Sequence, residues 1–251
     1  MPRLLTRLSM ALRACVVHSF AGASSGDPSY VLGLASSGAR LAVAGSEFDL
    51  ALYDRTTLQR VCELGAPAAH AGRINEVGFC DASAEVSSAL YSASSDGTVR
   101  VWDCGARVAA ATLRERAEEV WSASAGAEHA LAVGTQSAVL LWDLRRAARP
   151  VRRWEVHTDA VTQVRLQPGG RSVLSGSVDG LLCVIDAAQA DEEEAVVCVC
   201  NTEAPVAAAG FLGGAAQARA APRRAAALAA TCAAGRHTAT PRPRAPDRPR
   251  A

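Results

Sequence analysis

Residues Leu90 to Asp103 read Leu-Tyr-Ser-Ala-Ser-Ser-Asp-Gly-Thr-Val-Arg-Val-Trp-Asp. Two apolar, alternating runs, Leu90 to Ala93 and Val99 to Trp102, flank Ser94-Ser95-Asp96-Gly97, a pattern that predicts two antiparallel strands joined by a tight turn. Asp96 suits that turn because its carboxylate can cap it. Gly97 suits it because a primed turn demands positive φ.

The end of this hairpin recurs along the chain. Asp54, Asp103, Asp143 and Asp186 close the strands Leu-Ala-Leu-Tyr-Asp, Val-Arg-Val-Trp-Asp, Leu-Leu-Trp-Asp and Cys-Val-Ile-Asp, at spacings of 49, 40 and 43 residues. Tyr53, Trp102, Trp142 and Ile185 precede them, so the last copy departs from the aromatic pattern. A period of roughly 40 to 45 residues ending on Trp-Asp resembles the WD-repeat β-propellers, in which each repeat supplies a four-stranded blade. The resemblance implies an all-β WD40-type propeller with about four blades and a partial fifth.

On this reading residues 27–212 form the repeats, with blades over about 30–66, 70–113, 120–154 and 157–200 and one more opening strand at 205–212. Blade two is the best formed. Blade one lacks Asp-Gly in its second turn, and blade three lacks a histidine at its entry. Residues 1–26 hold Arg3, Arg7 and Arg13 with no acid, which fits either a closing strand around Ala14–Phe20 or a weak transit-like peptide. Residues 213–251 contain 15 Ala, 8 Arg and 5 Pro. With so few large apolar side chains this segment is expected to be a disordered tail, apart from a short Ala-rich helix near 225–234.

Composition narrows the class of protein. Hydrophobic residues make up 49% of the chain, enough for a core, although alanine supplies much of that figure and aromatics only 4%. All 26 basic residues are arginine, a bias spread over the whole chain and not gathered on one surface. The net charge of +1 divides into +3 over residues 1–26, −9 over 27–212 and +7 over 213–251, an acidic body with a basic tail. The eight cysteines form no Cys-x-x-Cys pair and have no histidines at ligand spacing, so neither zinc nor a disulfide framework is indicated and no cofactor is expected. No apolar run approaches the length of a membrane span. The expectation is a soluble intracellular protein, cytoplasmic or nuclear in preference to mitochondrial.

Two sets of polar residues share one spacing. His70, Ser92, Asp96 and Trp102 fall where the resemblance places the hydrogen-bonded tetrad of a WD40 blade. His157, Ser175 and Asp179 repeat the offsets, with Ile185 where the tryptophan would stand. Serine, histidine and aspartate also make up hydrolytic triads, but such a triad needs an oxyanion site and a cleft as well. The structural role is the expectation, with no catalytic residue. Trp142-Asp143-Leu144-Arg145 is similar to the Trp-Asp-x-Arg ending of substrate receptors of cullin-4 ubiquitin ligases, although Gln136 replaces the aspartate of the longer motif. Arg145 is then the candidate adaptor contact. Asp191 to Glu194 reads as an exposed acidic loop, without the regular spacing of a Ca²⁺ site.

Ser29–Leu34, Tyr91–Val99, His157–Arg165 and Ser175–Leu181 resemble one branch of the propeller family over about residues 12–212. Members of that branch continue through further blades, so the chain is expected to be truncated at its C-terminus relative to them. The resemblance implies a non-enzymatic scaffold for unidentified protein or peptide partners, with Arg73, Asn75, Arg100 and Asp159 as candidate surface contacts. The alternatives are a ligase substrate receptor, an RNA-associated assembly factor that uses the arginine tail for weak, salt-sensitive contacts, and a truncated product without activity.

Overall fold

The computed structural model describes residues 30–65, 69–80, 89–114, 118–127, 129–167, 171–189, 191–212 and 217–222. The readings of 1–26 as a closing strand or transit peptide, and of the Ala-rich helix near 225–234, lie outside these residues.

Four antiparallel sheets of four strands follow one another along the chain, each in sequence order. Blade one contains β1 (Val31–Ser37), β2 (Arg40–Gly45), β3 (Leu50–Asp54) and β4 (Arg60–Glu63). Blade two contains β5 (Ile74–Phe79), β6 (Ala89–Ser94), β7 (Val99–Asp103) and β8 (Val108–Leu113). Blade three contains β9 (Ser122–Ala125), β10 (Ala130–Gly134), β11 (Val139–Asp143) and β12 (Arg152–Trp154). Blade four contains β13 (Gln163–Leu166), β14 (Ser172–Gly176), β15 (Leu181–Asp186) and β16 (Val196–Asn201). The first strands β1, β5, β9 and β13 pack side by side, and β17 (Val206–Leu212) continues the row. This is a β-propeller arrangement.

The sequence explains why both faces of each sheet are used. Side chains alternate between faces along a strand, and a blade wedged between two neighbours must be apolar on both, so its middle strands read as nearly continuous apolar runs. Leu50 and Leu52 of β3 face blade two, where they join Ile74, Leu90 and Trp102 in one cluster. Tyr91, Ala93 and Val99 face the other way and pack with Leu131, Leu140 and Trp142 of blade three. Trp154 and Val161 join Cys183 and Ile185 between blades three and four. Each such Leu, Ile or Val taken fully out of water contributes about 1.5–3 kcal/mol before entropy is counted.

A repeated backbone bond sets the spacing of the blades. The Val120 amide donates to the Ser94 carbonyl at 3.3 Å, Val161 to Thr135 at 2.9 Å and Val206 to Ser177 at 3.0 Å, so each incoming first strand is pinned to the hairpin turn of the blade before it. The two Asp-Gly turns have φ of 79° at Gly97 and 81° at Gly180, the left-handed region that glycine enters without strain. Blade one, lacking Asp-Gly, places Phe48 at φ 64° instead.

The outer strands of blades one, two and four each carry a bulge. Tyr53 pairs with Arg60 but Leu52 with Cys62; Trp102 with Ala109 but Val101 with Ala111; Ile185 with Val196 but Val184 with Cys198. Each bulge adds one residue to the edge strand and increases its twist, which discourages edge-to-edge pairing with another chain.

Two expectations need correction. Residues 217–222, assigned by composition to a structureless tail, form a strand (β18, Gln217–Pro222) paired with β17, so the opening strand of the fifth unit belongs to a hairpin. Ladder bonds come from the backbone, and alanine-rich sequence supplies them as well as any other. The acidic run is not a plain loop. Asp191 caps a single helical turn (α1, Glu192–Ala195), accepting from the amides of Glu193 and Glu194, and acids in a first turn are favoured by the helix dipole.

One ion pair spans a whole blade. Glu76 of β5 reaches Arg165 of β13 at 3.4 Å, past the small side chains of Ser122-Ala123-Ser124-Ala125 in β9. Burial holds the Glu76 carboxyl above its usual range, and the Arg165 guanidinium counters this in part. Glu76→Gln is expected to lower stability by about 1 kcal/mol, read as a shift of the urea midpoint. An unchanged midpoint would show that the pair adds nothing to stability.

Candidate functional site

The hairpin β6–β7 brings together the four polar side chains of blade two. His70 enters just before β5, Ser92 lies on β6, Asp96 in the turn and Trp102 on β7. The Trp102 indole N–H donates to Ser92 Oγ at 2.8 Å, and Ser92 Oγ lies 2.7 Å from His70 Nε2. His70 Nδ1 lies 2.9 Å from Asp96 Oδ2. Because a carboxylate only accepts, the protons run one way: indole to serine oxygen, serine hydroxyl to Nε2, and Nδ1–H to aspartate. Asp96 also accepts from the Ala71 amide, the Thr98 amide and the Thr98 hydroxyl.

These contacts set the electrostatics. Burial pushes the Asp96 carboxyl up, but the Thr98 hydroxyl, the Ala71 amide and His70 outweigh it and bring it down to about 2. Burial pushes the His70 imidazole down and Asp96 only partly restores it, so the ring is held neutral. Blade four repeats the arrangement in shorter form. His157 Nε2 lies 2.8 Å from Ser175 Oγ and Nδ1 lies 3.2 Å from Asp179 Oδ2. Ile185, fully buried, ends the chain of bonds where Trp102 extends it, and Leu181 stands where Thr98 supplies a hydroxyl. As a nucleophile, Ser92 is badly placed: it is 0% exposed, and its oxygen already serves an indole and an imidazole.

Sequence reasoning missed a second stitch. Ser94 donates to the Gly72 carbonyl at 3.0 Å and accepts from the Asp96 amide, and Ser177 does the same with the Asp159 carbonyl at 2.9 Å and the Asp179 amide. The signal was available, since both turns carry a serine two residues before the aspartate. The strand-ending aspartates each cap the turn that follows: Asp54 accepts from Thr56 and Thr57, Asp103 from Gly105 and Ala106, Asp143 from Arg145, and Asp186 from Ala188.

Blade three has Ala132 and Gln136 where blade two has Ser92 and Asp96. Trp142 there lines a small depression together with Val99, Leu113, Val120, Thr135 and Arg153, at the junction of blades two and three. Of the candidate surface contacts, Arg73 is exposed and Asp159 half-buried, while Asn75 and Arg100 are tied into the fold. Asn75 donates to Ser95 Oγ and the Val120 carbonyl, and the Arg100 guanidinium lies 5.9 Å from the centre of the Trp102 ring. Arg145 follows Asp143 in a 3-10 turn and forms a two-pronged pair with its carboxylate, Nε to Oδ1 and Nη2 to Oδ2, both at 2.9 Å. Among the described residues no group of three or more His, Cys, Asp or Glu is placed to hold a metal ion, and no helix is long and apolar enough to cross a membrane.

The family described as WD domain, G-beta repeat matches residues 63–103 and 148–186, the two stretches that carry a histidine-led tetrad site and its hairpin. The chain is a WD40-repeat protein. Each WD40 match begins near the outer strand of one blade and runs through the first three strands of the next, so the sequence unit straddles two sheets. The chain is 34% identical over 219 residues to WD repeat-containing protein 89 homolog of Dictyostelium discoideum, covering 86% of this chain and 58% of that protein. It is 33% identical over 178 residues to WD repeat-containing protein GTS1 of Arabidopsis thaliana, covering 69% of this chain and 45% of that one. It therefore spans about half the length of these relatives. A chain in a crystal structure titled Mitotic Checkpoint Complex superposes with a TM-score of 0.66 at 18% identity, over 77% of this chain and 59% of that one. That likeness concerns the fold alone.

Proposed function

We propose that this WD40 chain is a non-enzymatic scaffold that holds peptide segments of partner proteins in the grooves between its blades. The observation that carries this reading is where its reactive-looking groups sit. Ser92, His70 and Asp96 are consumed in bonds that fix one blade, while a small depression at the junction of blades two and three is lined by the exposed Arg114 and the half-buried Arg153 beside the buried Trp142. An apolar floor with a few polar groups around it is the ordinary make-up of a peptide groove. The free cysteines at 62, 80, 104 and 200 favour an intracellular setting, cytoplasmic or nuclear.

The test compares proteins that co-purify from cells with the full chain and with the double variant Arg114→Glu, Arg153→Glu, together with labelling by a serine-hydrolase probe. A set of partners lost with the variant, and no label on Ser92, is the expected result. Identical partner sets, or a labelled Ser92, would overturn the reading.

A second reading, ligase substrate receptor, has one observation in its favour. The Arg145 side chain is 63% exposed at the end of β11, reachable by an adaptor although Asp143 holds it. Arg145→Ala is expected to abolish adaptor capture on that reading and to leave it unchanged on the scaffold reading.

A further inference from the structure

Blade three keeps the tryptophan of the tetrad and lacks the groups that serve it elsewhere. In blade two the Trp102 indole N–H ends on Ser92 Oγ, and in blade four Ile185 removes the donor altogether. Blade three has the donor without the acceptor. Counted by strand pairing and not by offset from the tryptophan, Val133 stands opposite Leu140 as Ser92 stands opposite Arg100, because residues 135–138 make the turn where blade two uses 94–98. Trp142 is 2% exposed, and its N–H finds no partner among the described residues.

A second polar atom in the same place is also unserved. Glu118 lines the depression with Trp142; its Oε1 lies 3.8 Å from Arg153 Nη2, and its Oε2 is buried without a hydrogen-bond partner. Buried donors and acceptors left open are costly, and folded proteins serve nearly all of them. These two do not bond to each other, so the group that serves both must span the space between them. Around them the wall is apolar, with Val99, Leu113, Val133 and Leu140.

We propose that this depression takes the carboxamide of an asparagine or glutamine side chain from a bound peptide, its carbonyl accepting from Trp142 and its NH2 donating to Glu118 Oε2. The inference rests on the peptide-groove reading and narrows it to one side-chain chemistry. A carboxylate accepts from the indole but has no proton for Glu118, which repels it. A lysine donates to Glu118 but cannot accept from the indole and meets Arg153 and Arg114. An aliphatic side chain leaves both atoms open. A carboxamide carries an acceptor and a donor on adjacent atoms with no net charge.

The first arm of the test is a displayed library of random peptides selected on the full chain. The selected peptides are expected to share Asn or Gln at one position. Changing that residue to Asp, Ser or Leu is expected to weaken binding about tenfold. Trp142→Phe, which keeps a ring in the core and removes the N–H, is expected to do the same, and the two changes together to cost little more than either alone. Glu118→Ala, on a partly exposed side chain, gives the same reading should the Phe variant not fold. Peptides that share an acidic, hydroxyl or aliphatic residue instead, or Asn and Gln peptides indifferent to both variants, overturn this inference and leave the groove reading standing. Should no peptide be selected, the groove reading falls and a second arm decides the depression. Acetamide titrated into the ¹⁵N-labelled chain is expected to shift the Trp142 indole N–H signal, identified by its loss in Trp142→Phe, while acetate leaves it in place. No shift with acetamide would mean that water alone fills the depression, and the carboxamide site would be overturned.

Discussion

Trp102→Ala is expected to destabilise the chain by about 3–5 kcal/mol, the cost of emptying a fully buried aromatic site. Trp102 is 1% exposed, packs with Leu50, Leu52, Leu64 and Leu90, and sits so closely under the blade-one linker that a Cβ on Gly65 would come within 2.6 Å of its ring. Truncation removes those contacts and takes the indole donor from Ser92. The surrounding β-sheets cannot collapse into the space without breaking the register that joins blades one and two. Urea unfolding followed by circular dichroism reads the loss, and a change below about 1 kcal/mol would mean that the junction is loosely packed.

Asp96→Ala is expected to cost about 3 kcal/mol, because four donors lose their acceptor in a buried place: His70, the Thr98 hydroxyl, and the amides of Ala71 and Thr98. Asp179→Ala is expected to cost less, about 2 kcal/mol, since it strands only His157 and the amides of Thr158 and Leu181. The pH dependence follows from the same contacts. The Asp96 carboxyl stands at about 2 in the folded chain against an ordinary 3.8, so its stabilisation is complete above about pH 4 and is lost as pH falls toward 2. His70 and His157 are held below their ordinary 6.5, so the unfolded chain takes up protons first and stability falls as pH drops below that value. Both limbs run in the same direction. The urea midpoint is expected to decline between about pH 7 and about pH 5, and His70→Gln should flatten that decline.

Much of this was written in local sequence. Leu90–Asp103 gives its hairpin because alternation, Asp-Gly and a closing Trp-Asp agree over fourteen residues. The offsets linking His70, Ser92, Asp96 and Trp102 are legible because one turn and two strands separate them, so sequence distance translates into place. Other features depend on what lies across the sheet. The burial of Asp49, the reach of Glu76 to Arg165 and the docking of Asn75 on Val120 join residues on separate strands, which no periodicity reports. Strand β18 escaped because an alanine-rich segment has the composition of a solvated tail, and its ladder with β17 is a backbone matter. The α1 turn escaped because four acids in a row read as charge before they read as a cap followed by a first turn.

The most direct test of a blade pinned by one continuous polar chain is a double-mutant cycle. Ser92→Ala and Trp102→Phe, separately and together, measure the coupling across the 2.8 Å bond that links them. A coupling of about 0.5–3 kcal/mol is the predicted result, because Ser92→Ala leaves the indole N–H buried without its acceptor, whereas in the double variant that donor is gone. Costs that simply add would contradict it, and the tetrad would then be four neighbours with no shared bond.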